Sequence, residues 1–183
     1  MPEYRRVLIP GGVYFFTLVT YERRKIFSSP IARKLFFKAV EHVHSYHPFT
    51  IIAYYLLPDH IHFIWQMPEN ECDYSKRISA IKRRFTILYR QYVTVPLPEN
   101  ESRIKRREST VWQRRFWEHY IRDQKDLDQH LDYLHYNPVK HGLVDQVKDW
   151  KASSFSRYVK LGYYDLDWGG KYPINDYKIN FGE

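Results

Sequence analysis

The order of elements legible in the 183 residues predicts an α+β fold. Its core is a ferredoxin-like βαββαβ unit, an antiparallel sheet with helices packed on it, followed by one additional helix. Three observations predict it. Four short runs rich in β-branched and aromatic residues are bounded by turn residues. Stretches with apolar residues at helical spacing separate the first run from the second and the third from the fourth. A Pro-Asp turn joins the middle two runs into a hairpin. A chain of this length suits one domain with its own core.

Gly11-Gly12 opens Val13 to Thr20, read as a buried strand. Ser28-Ser29-Pro30 marks a helix start, and Ile31, Leu35, Phe36, Ala39, Val40 and Val43 form its apolar stripe to about His44. Phe49 to Leu57 and His60 to Gln66 are the hairpin strands around Pro58-Asp59. Asp73 is placed to cap a second helix running to about Tyr92, with Ile78, Ile81, Phe85 and Leu88 buried. Val95 to Thr110 reads as an exposed, mobile connection, and Val111-Trp112 with Phe116 to Ile121 as a short fourth strand. Asp123 then caps a helix with Leu127, Leu131 and Leu134, expected to end near Asn137-Pro138. From Trp150 the chain is aromatic and glycine-punctuated, an irregular arm.

Aromatic residues reach 18%, with 17 Tyr, 11 Phe and 5 Trp, and the net charge is +8. The charge is local. Ser75 to Arg115 holds 12 basic and 3 acidic residues, whereas the remainder carries a net −1. Such an imbalance suits a polyanion surface better than a general solubility device. Cys72 is the lone cysteine, so no intrachain disulfide can form and a reducing cytoplasm is expected. No apolar run approaches the roughly 18–20 residues of a spanning helix, and no signal-like apolar segment follows Met1 to Arg6. Secreted and membrane proteins are not expected.

His60-Ile61-His62 is the sharpest local feature. Residues i and i+2 of a strand share a face, so both imidazoles point the same way. They form either two ligands for a divalent cation or two hydrogen-bonded histidines of a half-buried strand. Tyr133 and Asn137, four apart on the late helix, can address one point in space. A phenol is a poor nucleophile at neutral pH unless its proton is removed or its charge stabilised. A cation held by His60, His62 and Asn137 would polarise a phosphodiester toward Tyr133. Imidazole and amide ligands fit Mg²⁺ or Mn²⁺.

Three segments carry a resemblance. They are Leu57-Pro58-Asp59-His60-Ile61-His62-Phe63, Phe116-Trp117-Glu118-His119, and the run from Tyr133-Leu134-His135-Tyr136-Asn137 to Pro138-Val139-Lys140-His141-Gly142-Leu143-Val144. With Glu3-Tyr4-Arg5-Arg6 and Gly11-Gly12 before them, they resemble the REP-associated tyrosine transposases, a domesticated branch of the single-tyrosine His-x-His (HUH) transposases. The resemblance runs from about residue 3 to 168. It implies cleavage of single-stranded DNA at folded repetitive extragenic palindromes, with a 5′-phosphotyrosine formed and a 3′-hydroxyl freed. It matches His60 and His62 to the metal ligands and Tyr133 to the nucleophile. Asn137 falls where related transposases have a glutamine, which keeps the amide oxygen but shortens its reach. Residues 1–150 would then be the catalytic domain, with 151–183 an arm packed on it.

Single-strand binding needs stacking surfaces and a cationic track. Arg5, Arg6, Lys82, Arg83, Arg114 and Arg115 are candidate DNA contacts, each also readable as a solvated surface charge. Glu118 is read as either structural or a DNA contact. The expected protein acts in the cytoplasm, at the nucleoid, as a monomer with a homodimer as the alternative. Two other functions remain open at this point: a hairpin DNA binder that has lost cleavage, and an RNA-binding ferredoxin-like domain.

Overall fold

The computed structural model describes residues 6–93, 100–106 and 108–170. Arg5 and the end of the arm, 171–183, lie outside them.

Strand β1 (Val13–Val19) follows the glycine pair. Gly11 has φ +71°, and at Gly12 a Cβ would sit 2.9 Å from the Ile9 carbonyl oxygen, so the turn needs both glycines. Helix α1 (Pro30–Tyr46) starts where its signals place it, with the Ser29 side chain accepting from Ala32 N and Pro30 in the first turn. Strands β2 (Thr50–Leu56) and β3 (His60–Gln66) form the hairpin, and Asp73 caps α2 (Tyr74–Tyr92) by accepting from Lys76 N. Part of the connection read as exposed and mobile is helical: α3 spans Glu101–Lys105, capped by Asn100, while 94–99 and 107 lie outside the described residues. The fourth strand, β4, is Trp117–Tyr120, with Trp112 making only an isolated bridge to Thr20.

Helix α4 (Gln124–Lys140) corrects one boundary. It does not stop before Pro138 but carries that proline inside its last turn. His141 N bonds Asn137 O and Leu143 N bonds Pro138 O, so the final carbonyls are satisfied although the proline gives no N–H. The arm from Trp150 is also less irregular than expected, since it folds a short helix, α5 (Phe155–Lys160).

The sheet order is β2-β3-β1-β4 with every neighbouring pair antiparallel, the ferredoxin-like arrangement. Alternation along the central strands makes two cores. Tyr14, Phe16, Leu18, Ile61, Phe63 and Trp65 pack with α1 and α2, whereas Phe15 and Ile64 pack with Leu131, Tyr133 and Leu134 of α4 and Phe155 of α5. The arm also covers the outer margin of β2. Leu56 N bonds Ala152 O, Ser154 N bonds Tyr54 O, and Tyr55 bridges Ser153. Among the described residues no helix is long and apolar enough to cross a membrane.

Candidate active site

The register of β1 against β3 sets Thr17 directly opposite His62 and Val19 opposite His60. Both imidazoles therefore face α4, and both are buried. Their ring centroids lie 4.9 Å apart. Each ring is oriented through Nδ1. His60 Nδ1 is 2.7 Å from Asp59 Oδ1, and His62 Nδ1 is 3.0 Å from Thr17 Oγ1. In the tautomer with the proton on Nδ1, Nε2 carries the lone pair that a cation needs, and carboxylate or hydroxyl support of this kind raises ligand basicity. The Asp59 carboxyl is held below its ordinary value, against the opposing effect of burial, by His60 and by the Arg23 guanidinium at 3.2 Å. Arg23 and Glu22 reach this position with φ of 49° and 53°, left-handed backbone that costs a non-glycine residue about 1–2 kcal/mol.

Because α4 continues through Asn137, Tyr133 and Asn137 stay on one helix face. Asn137 is fully buried, with Nδ2 3.4 Å from His62 Nε2, and a half-turn of the amide presents Oδ1 there instead. The Tyr133 ring meets His62 edge-on at 5.8 Å and Phe15 at 6.2 Å. The phenol is 8% exposed, beneath the surface but not sealed in the core. The structure thus brings together His60, His62, Tyr133 and Asn137. Two imidazoles and an amide oxygen, with their outer nitrogens already oriented, are a donor set that fits Mg²⁺ or Mn²⁺.

Further side chains join these four. Lys140 Nζ donates to Tyr133 Oη at 3.4 Å and lies 4.8 Å from its ring centroid. His141, at the end of α4, approaches His60 at 5.7 Å. Lys140 is seven residues from Tyr133, a same-face spacing hidden by ending the helix at Pro138. Thr17 carried no signal, because only the strand register pairs it with His62.

Among the described residues, the candidate DNA contacts lie elsewhere. Glu118 is not a surface group: its side chain is buried on the α2 side, 3.2 Å from Arg6 Nε and accepting from the Tyr74 hydroxyl at 3.4 Å. Arg6 also stacks over Phe116 at 4.3 Å. Lys82 donates to the Gln113 carbonyl at 2.6 Å, and burial, reinforced by Arg103, lowers its pKa to about 8. Arg83, Arg114 and Arg115 are exposed, with Arg114 paired to Glu108 at 2.9 Å. Lys82 and Arg83 sit on α2, across the sheet from Tyr133.

A second polar cluster anchors the start of α4. Asp126 accepts from His119 at 3.0 Å and from Arg122 at 2.9 Å, and His130 Nδ1 lies 3.1 Å from its other oxygen. Despite burial, Arg122 and His119 lower the Asp126 pKa to about 2. His119 and His130 stack at 4.5 Å with planes 18° apart. Although three potential ligand groups converge here, the guanidinium already neutralises the carboxylate, and the cluster acts as a clamp between β4 and α4.

The sheet has ferredoxin-like order, and paired imidazoles on a central strand lie beneath a helix-borne phenol. The family model for IS200-like transposases matches residues 11–137, from the glycine turn to Asn137. The chain belongs to the REP-associated tyrosine transposases of that family. It is 49% identical over 170 residues to a Haemophilus influenzae protein assigned by name to that group, covering 93% of this chain and 94% of the relative. It is 41% identical over 170 residues to the REP-associated tyrosine transposase of Escherichia coli K12, covering 93% and 92%. A solved structure of a REP-associated tyrosine transposase bound to a REP hairpin superposes with a TM-score of 0.79 at 39% identity, covering 97% of this chain and 96% of that one.

Proposed function

We propose that the chain is a metal-dependent transesterase that cleaves and rejoins single-stranded DNA beside hairpins of repetitive extragenic palindromes. The observation that carries this reading is the placement of the Tyr133 ring against His62, with Asn137 at the same imidazole. The hairpin bound to a structurally similar relative supports the choice of substrate.

His60, His62 and Asn137 would hold Mg²⁺ or Mn²⁺, which when bound polarises a phosphodiester oxygen. Asp59 and Thr17 keep the two imidazoles in the ligating tautomer. Tyr133 Oη attacks phosphorus and the bond from phosphorus to the 3′ oxygen breaks. The proton lost by the phenol is balanced by the one gained by the departing 3′ oxygen. Lys140 opposes the negative charge on the phenolic oxygen before attack and again when the tyrosine leaves. Rejoining is the reverse, attack of a 3′-hydroxyl on the phosphotyrosine, and it consumes no nucleotide because each step conserves one phosphodiester. Residues 1–150 act as the catalytic unit with 151–183 as an arm on it, in a monomer working in the cytoplasm at the nucleoid. Arg5, Arg6, Lys82, Arg83, Arg114 and Arg115 supply cations for the rest of the DNA, which must pass around the sheet to reach Lys82 and Arg83.

Incubation with an end-labelled hairpin oligonucleotide and Mn²⁺ yields a covalent adduct retained in denaturing gels, and Tyr133→Phe removes it. An undiminished adduct in that variant overturns the assignment. One observation favours a second reading, a hairpin binder without cleavage: Lys82 and Arg83 stand across the sheet from Tyr133. Hairpin binding with no adduct in either metal selects that reading.

A further inference from the structure

We propose that Lys82 is a modification site, the nucleophilic amine of a cationic cleft between α2, α3 and the connection into β4, acylated there by acyl phosphates. The proposal stands apart from the reading of DNA as substrate. The cleft measures about 760 Å³, within the range of small-molecule sites. Lys82, Arg83, Arg90, Arg103 and Arg114 line it, and among the described residues Glu108 is the one lining carboxylate. Glu108 accepts from Arg114 at 2.9 Å, which leaves the other cations to meet a phosphate group.

The amine is held in place by the folded backbone. Lys82 Nζ donates to Gln113 O at 2.6 Å and to Arg114 O at 3.4 Å, while the Trp112 indole donates back to Lys82 O at 3.2 Å. Arg103 of α3 is fixed beside it by donating to Ser109 O at 2.7 Å and Trp112 O at 3.0 Å. Burial and the Arg103 charge disfavour the ammonium, Glu108 opposes them, and the pKa falls to about 8. Desolvation beside another cation is a general way to make a lysine nucleophilic. At pH 7.5 such an amine is about one-quarter neutral, against about one-thousandth for an ordinary lysine. Nucleophilicity falls with basicity, as it does for thiols, and takes back about tenfold of that gain. A net advantage of about tenfold or more remains. In the step itself, the amine nitrogen attacks the acyl carbon and the bond from that carbon to the phosphate oxygen breaks. Inorganic phosphate leaves with the electron pair and takes the proton that the nitrogen loses. The amide that forms keeps one N–H for a backbone carbonyl, and the cleft loses one positive charge.

The test treats the full chain with acetyl phosphate and quantifies acetylation of each lysine by peptide mass spectrometry. Lys34, exposed on α1, is the internal reference. At pH 7.5 Lys82 should acetylate about tenfold faster than Lys34. Its rate should level off above about pH 8, whereas that of Lys34 keeps rising about tenfold per pH unit toward pH 10. Added inorganic phosphate, by occupying the cleft, should slow Lys82 and leave Lys34 unchanged. In the urea-unfolded chain the two lysines should react alike. Lys82 reacting no faster than Lys34 overturns the proposal, as does a Lys82 rate that climbs with pH in parallel with the reference. Acetylation of Lys82 that phosphate does not slow removes the anion-binding cleft. An advantage that survives unfolding belongs to the neighbouring arginines in sequence and overturns the site.

Discussion

Beneath α1 and α2, the central strands present Phe16, Leu18, Ile61 and Phe63 to Phe36, Val40, Ile81 and Phe85. Beneath α4, alternate residues of the same strands present Thr17, His60 and His62 to Tyr133 and Asn137. The first side gains its stability from area removed from water. On the second, burial of imidazole and amide groups is tolerable because Thr17, Asp59 and Asn137 meet them with polar atoms. A two-residue strand period thus gives one sheet an apolar side and a side that mixes an apolar core with buried polar groups, and the two sides should fail differently when altered.

The largest expected effect is Tyr133→Phe, which abolishes the denaturation-resistant DNA adduct. Loss of one long hydrogen bond should change unfolding free energy by no more than about 1 kcal/mol. An unfolded variant would show that the phenol belongs to the scaffold instead. The opposite pattern is expected for Phe63→Ala, a fully buried ring on the other side. It should cost about 3–5 kcal/mol in urea unfolding while the folded fraction still forms adduct.

Acid should weaken the α4 side first. Burial lowers the pKa of His130 to about 4 and of His135 to about 3. As pH falls below about 6.5 the unfolded chain takes up protons that the folded one refuses, so stability is full above that value and declines from there toward pH 4. Two such histidines give a slope of up to about 2.7 kcal/mol per pH unit. Asp126, lowered to about 2, adds a further loss of about 2 kcal/mol as pH drops from about 4 toward 2. Urea midpoints at pH 7.5, 6 and 5 check the histidine part, and a flat series contradicts it. The smallest effect is Arg114→Ala, an exposed pair with Glu108 whose removal should alter stability by less than about 0.5 kcal/mol. Its hairpin binding should nevertheless lose about 0.7 from the salt slope.

Much of the frame was legible because its signals are local. Ser29, Asp73 and Asp123 each cap the helix they announce, and His60 to Gln66 is the strand that the Pro-Asp turn and the alternation delimit. The histidine pair could be given a shared face from period two alone. What stayed hidden depended on chain segments meeting. Thr17 becomes a histidine partner only through the β1–β3 register, and Glu118 is withdrawn from the surface by Arg6 and Tyr74. Pro138 misled for a different reason. Its bias acts on a single residue, whereas packing of α4 on the sheet carries the helix past it to Lys140, and with that turn Lys140 reaches the phenol.

The arm along β2 has a consequence for how molecules meet. An open strand margin is a template on which another chain can lengthen a sheet, the route to strand exchange and fibrous aggregation. Here the backbone groups of Tyr54 and Leu56 already bond Ser154 and Ala152. A second copy cannot zip onto that side without peeling the arm away, so a concentrated solution of this aromatic-rich chain is protected there by its own C-terminal stretch.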